Sequence, residues 1–141
     1  MVSAGAHRAQ VVTDLVVVQV VGVLERAEAQ ALYDCLDRVL AEQGYCMALF
    51  DLTQASLPSA ESRKWISGWF TRQDLHRLAV ATFGTGLLVR TINRMFDGAV
   101  AVLSGRAAPT RHFSEAEVAR RWLDEMRPQL VTRSARWQSS R

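Results

Sequence analysis

The sequence predicts a single α/β domain: one mixed, mostly parallel sheet carrying about four helices. Three observations lead there. Short apolar runs of strand length recur along the chain, LVVVQVV, YCMALFDL and LAVATFG among them. Between them lie longer stretches with helical spacing of apolar residues. Ahead of LVVVQVV, the run AQVV is joined to it only by Thr13-Asp14, which reads as a tight polar turn. The resulting order is β-β-α-β-α-β-α-β-α, and strands separated by helices pair in parallel through right-handed crossovers.

Each element has its own justification. Residues 1–7 carry no sustained pattern and are expected to form a loose leader. AQVV and LVVVQVV form the opening hairpin, and the valine density of the second run predicts cover on both faces. ERAEAQALYDCLDRVLAEQG places Ala29, Leu32, Leu36, Val39 and Leu40 on one helical face, and Gly44 suits a left-handed C-cap. Residues 15–21 and 46–50 are the expected central strands. Ser62–Leu75 reads as a second helix, with Trp65, Ile66, Trp69 and Phe70 on one side. From Gly86, LLVRTINRMFDGAVAVLSG reads as a long third helix, with Leu88, Ile92, Met95, Phe96, Ala99 and Leu103 inward. RHF is a short last strand. SEAEVARRWLDEM closes the domain: Ser114 and Glu117 have capping-box spacing, and Val118, Trp122 and Leu123 form the inward stripe. The domain is expected to span residues 8–126, followed by a mobile basic tail over 127–141.

Composition excludes several classes. At 141 residues and 49% apolar, the chain is long enough to bury a core without disulfides or metal. Cys35 and Cys46 form no CxxC pair and have no histidine at ligand spacing, which fits a reduced, cytoplasmic setting. Neither Leu15–Leu24 nor Leu78–Val89 reaches the roughly 18 residues of a spanning helix. His7, His76 and His112 lie far apart in sequence, so no metal site is expected. The net charge of +3 is unevenly spread: Ser62–Arg94 holds six basic residues against Asp74 alone, and Arg127–Arg141 holds four arginines and no acid. That tail is expected to solubilise rather than to bind nucleic acid.

VVTDLVVVQVVGVLERAEAQAL, ALFDLT, LAVATFG and RHFSEAEVARRWL together resemble the STAS domain, the sulfate-transporter and anti-sigma-factor-antagonist family, and its sporulation-antagonist-like branch in particular. The resemblance covers residues 8–126. It implies a regulatory module that binds a protein partner and needs no cofactor. In that branch an Asp-hydrophobic-Ser/Thr step ends a strand, and a turn some six residues later carries the serine or threonine that a partner kinase phosphorylates. Asp51-Leu52-Thr53 matches the step. Ser59 falls on the family's aspartate, Ala60 on its phosphoacceptor and Ser62 on its glycine, so the standard switch lacks its acceptor here, and the spacing singles out none of Ser56, Ser59 and Ser62 as a substitute.

Two functional readings follow. In the first, the corner formed by Asp51, Thr53, Ser56, Ser59 and Ser62 docks a protein partner. The competing role for Ser59 is an N-cap accepting from the Ser62 amide, and for Asp51 an ordinary turn residue. In the second, the chain carries or senses a small apolar or lipid-like ligand, with Trp65 and Trp69 covering it and Arg90 and Arg94 as an anion contact. The Trp65–Phe70 face needs cover, and the sheet, a second subunit, a membrane surface or such a ligand would each provide it. No GxSxG, paired-carboxylate or Cys-His arrangement is present, so no catalytic residue is assigned and the chain is expected not to be an enzyme.

Overall fold

A computed structural model of the chain describes residues 1–84 and 110–139. Among them, six strands form one sheet in the order β1-β2-β3-β4-β5-β6: β1 Val2–Ala4, β2 His7–Val12, β3 Leu15–Gly22, β4 Cys46–Ala55, β5 Leu78–Phe83 and β6 Thr110–Phe113. Three α-helices accompany them: α1 Arg26–Gln43, α2 Ala60–Arg72 and α3 Ala116–Ser139. β1–β2 and β2–β3 are antiparallel, whereas β3–β4, β4–β5 and β5–β6 are parallel. The sheet is therefore mixed, with β3 and β4 at its centre as expected. The helix predicted from Gly86 lies outside the described residues, as do Arg90 and Arg94.

Period-two alternation sorts the central strands into two cores. Val16, Val18 and Val20 of β3, Ala48, Phe50 and Leu52 of β4, and Leu78 and Val80 of β5 pack under α1 and α2. Met47, Leu49, Ala79 and Ala81 point the other way, against Ala119, Leu123 and Leu130 of α3. β4 and β5 are thus covered on both faces. On β3, Val16, Val18 and Val20 are buried on the first face, whereas Leu15, Val17 and Val21 on the second are half-buried, with Leu15 packed against the second core.

The opening hairpin turns on Thr13, whose φ of 57° is left-handed, and Val12 pairs with Leu15 across it. α1 ends at Gly44, with φ 82° and its N–H on the Leu40 carbonyl. The guanidinium of Arg77, in the 3-10 turn Leu75–Arg77, donates to the carbonyls of Gly44 and Leu40 and satisfies that helix end further.

Both chain ends depart from expectation. Val2–Ala4, within the expected leader, pairs with His7–Ala9, and His7 is buried. Its Nδ1 accepts from the Val21 N–H at 3.0 Å, so the proton sits on Nε2, which donates to Glu28 Oε1 at 3.2 Å. At the other end α3 begins one residue late for the Ser114–Glu117 spacing, with the Ala119 N–H on the Glu115 carbonyl, and it runs through Pro128 to Ser139. Its inward stripe is Ala119, Leu123, Leu130 and Ser134, not Val118, which is 39% exposed. The register slips because Ala119, too small to signal a core position, is the residue that meets the sheet.

Candidate functional site

The corner at the end of β4 is built from three side-chain hydrogen bonds, one of them a helix cap. Asp51 is half-buried inside β4, and its Oδ1 accepts from both the Thr53 N–H at 3.0 Å and the Thr53 hydroxyl at 2.6 Å. This fold-back sits on a β-bulge: Gln19 pairs with Asp51, but Val21 pairs with Gln54. Gly84 makes room for it. At φ 149°, a Cβ there would stand 3.3 Å from the Leu52 carbonyl carbon and the Thr53 nitrogen. β4 then continues to Ala55, three residues beyond the run that the sequence marked as strand.

The chain next runs alongside the end of β3. Ser56 N–H donates to the Gly22 carbonyl at 2.9 Å and Ser59 N–H to the Leu24 carbonyl at 3.2 Å. Ser59 Oγ then accepts from the Ser62 N–H at 3.1 Å, making Ser59 the N-cap of α2. This caps a helix whose first residue is Ala60, exposed to solvent.

The expected partner-facing residues therefore separate. Thr53 is exposed, and Asp51, Ser56 and Ser59 are half-buried. Ser62 is fully buried and its hydroxyl has no hydrogen-bond partner, which removes it from any docking surface. Exposed apolar residues that the sequence reading did not single out take its place. Leu57 is 38% exposed within the corner, and Val23, between Gly22 and Leu24, is 48% exposed.

The aromatic face of α2 is covered by the domain itself. Trp69 is 2% exposed, stands edge-on to Tyr33 of α1 at 4.8 Å, and donates its indole N–H to Asp37 at 3.0 Å. Tyr33 also meets Trp65 and Phe70 edge-on and tilts over Phe50. The cover is thus α1 together with the sheet, and Trp69 is not available to a ligand. Trp65 is half-buried and lines a shallow surface groove with Arg26, Lys64 and Arg72.

Below the corner lies a second feature, a cavity of about 70 Å³. Among the described residues its walls include Val20, Leu24, Phe50, Ile66, Phe70 and Val80, together with Ala55, Ser56 and Pro58 of the corner and the hydroxyl-bearing Tyr33, Thr82 and Thr110. None of its described wall residues is charged.

The reactive side chains serve the fold. Burial pushes both thiols up, Cys46 furthest, and neither is poised as a thiolate. His112 Nε2–H donates to the Gly84 carbonyl at 3.0 Å, leaving Nδ1 to accept from the Thr82 hydroxyl at 2.9 Å. Among the described residues no cluster of three or more His, Cys, Asp or Glu could hold a metal, and no helix is long and apolar enough to cross a membrane.

No protein-family model matches the chain, and no curated protein does. Solved structures do. An uncharacterised protein of the DUF3478 family with a SpoIIAA-like fold, from Shewanella loihica PV-4, superposes with a TM-score of 0.57 at 21% identity, covering 84% of this chain and 92% of that one. The anti-sigma-factor antagonist SpoIIAA in its unphosphorylated form superposes with a TM-score of 0.57 at 10% identity, covering 86% of this chain and 98% of that one. The fold is SpoIIAA-like, the STAS type that the sequence pattern resembles.

Proposed function

We propose that the chain is a non-enzymatic, cytoplasmic regulatory module that docks a protein partner through the corner after β4. The observation that carries this reading is a patch of uncharged side chains, Thr53, Ser56, Leu57 and Val23, bordered by the exposed Glu25 and Glu61 and held on a braced backbone at the C-terminal ends of the parallel strands. Open α/β sheets present ligands and partners at that edge. The likeness to an anti-sigma-factor antagonist supports it at the level of fold. The histidine and cysteine environments support a chain without chemistry, because His7 and His112 spend their ring nitrogens on structural bonds and both thiols are held protonated.

Regulation by phosphate at the family position is not part of this reading. Ala60 stands there and has no hydroxyl. Mass spectrometry of the protein isolated from its own cells should show no stoichiometric phosphate; a dominant phosphate on Ser56 or Ser59 would restore a switch.

The docking reading is tested by affinity capture with the full chain and a Thr53→Lys/Leu57→Lys variant. Both positions are exposed, and Thr53→Lys keeps the backbone bond to Asp51 while losing the hydroxyl one, so the variant should still melt cooperatively, and a partner captured by the parent should be lost. Equal capture by both proteins moves the docking face elsewhere.

A further inference from the structure

We infer that the cavity beneath the corner is a socket for one aliphatic side chain of the partner, of leucine size. The inference rests on the corner being the docking face, and it adds what that face recognises. Three observations carry it.

The first is size. At about 70 Å³ the cavity is roughly half the ~150 Å³ that accommodates benzene in a cavity walled by Leu, Ile and Phe. An isobutyl group matches it; an indole or an acyl chain does not. The second is chemistry. The described walls are mostly aliphatic and aromatic carbon, with hydroxyls only from Tyr33, Ser56, Thr82 and Thr110 and no charge to compensate an ionised occupant, and burying an unpaired charge there is strongly unfavourable. The third is position. Ser56 and Pro58 line the cavity, and Leu57 between them points its exposed apolar surface outward. Leu24 lines it too, beside the exposed Val23. The hydrogen bonds from Ser56 to Gly22 and from Ser59 to Leu24 hold these two segments side by side. A peptide crossing the corner would cover Val23 and Leu57 and could lower one side chain between them. Interfaces concentrate their energy in such anchors, surrounded by contacts that exclude water.

Two experiments on the full chain test this. In the first, N-acetyl-L-leucine methylamide is titrated into methyl-labelled protein. The methyls of Val20, Leu24, Ile66 and Val80 should shift saturably, with a Kd of about 1–10 mM, the range open to roughly a dozen heavy atoms. The tryptophan and aspartate analogues should bind at least several-fold more weakly. Ala55→Leu, which replaces a methyl of the lining by an isobutyl group, should abolish the shifts. If that variant fails to melt cooperatively, Ser56→Leu takes its place. No saturable shift, shifts confined to other methyls, or unchanged binding by a folded Ala55→Leu protein would each overturn the socket without touching the docking reading. In the second, a phage-displayed linear peptide library is selected on the parent protein. Enriched peptides should share one Leu, Ile or Met anchor, compete with the leucine probe, and bind Leu57→Ser about ten-fold more weakly while the probe itself binds that variant normally. Probe binding without any selectable peptide, or native mass spectrometry showing a small molecule held in the purified protein, would assign the socket to a free ligand and overturn the peptide partner.

Discussion

Trp69→Ala tests whether α1 and the sheet, rather than an outside surface, cover the aromatic face of α2. Truncating a buried tryptophan removes its transfer energy and leaves a cavity, together about 3–5 kcal/mol. Trp69 belongs in the upper half of that range. It is 2% exposed and makes edge-to-face contacts with Tyr33 at 4.8 Å and Phe70 at 5.1 Å. Each such pair adds about 0.5–1.5 kcal/mol beyond area burial. The hydrogen bond to Asp37 adds little, because Asp37 is exposed and water can replace the donor. The expected loss is about 4 kcal/mol, which lowers Tm by roughly 15 °C in a domain of this size. Trp69→Phe keeps most of the apolar contact and should lose only about 1–2 kcal/mol. It also separates the hydrogen bond from the packing. Burial raises the Asp37 carboxyl and the Trp69 N–H partly offsets that, so removing the N–H should raise it further. Urea unfolding followed by circular dichroism supplies the stabilities, and NMR titration of Asp37 supplies the shift. A Trp69→Ala protein that melts within about 2 °C of the parent, with unchanged oligomeric state, would refute the packing argument.

Other perturbations have equally direct outcomes. Val18→Asp places an unpaired charge at a fully buried position in β3 and should abolish the cooperative melt, since such a charge costs several kcal/mol. Ending the chain after Arg127 removes the buried Leu130 and the bond from Ser134 Oγ to the Gln43 carbonyl, and should lower the unfolding free energy by about 2–3 kcal/mol in a urea titration. Acid stability should depend on Asp14. Its burial alone would raise the carboxyl, but hydrogen bonds from Arg127 and Tyr45 outweigh that and hold it below its ordinary value. The stabilisation is therefore complete above the ordinary carboxylate value and is lost as pH falls through the lowered one. Arg127→Gln should move the onset of acid unfolding to higher pH in a fluorescence-monitored titration.

How much of this was legible in the sequence depends on the range over which each signal acts. The central strands and α1 were readable because their determinants are local: alternating valines, a stripe from Ala29 to Leu40, a glycine at the helix end. Ser59 was readable as a cap for the same reason. β1 was not, because a three-residue strand has no period of its own and exists through its pairing with His7–Ala9 and the burial of His7. The continuation of α3 past Pro128 was hidden similarly. Leu130 and Ser134 form a stripe too sparse to signal a helix, and what fixes them is a distant surface, Met47 and Leu49 of β4 and the end of α1.

The corner shows the same division, and it bears on function. Read along the chain, six hydroxyl or carboxyl residues in a dozen positions, Asp51, Thr53, Ser56, Ser59, Glu61 and Ser62, suggested a polar site. In three dimensions most of that polarity is spent inward: Asp51 on Thr53, Ser59 on the Ser62 amide, and Ser62 itself in the core. What remains facing outward is a neutral patch of Thr53, Leu57 and Val23, with Glu25 and Glu61 exposed at its border, above a cavity whose described walls carry no charge. A surface of that kind gains little from long-range charge steering. It gains from excluding water around a buried anchor, so partner affinity should change little with salt, where a contact through Arg63, Lys64 and Arg72 would weaken as salt screens exposed charges over about 8–10 Å.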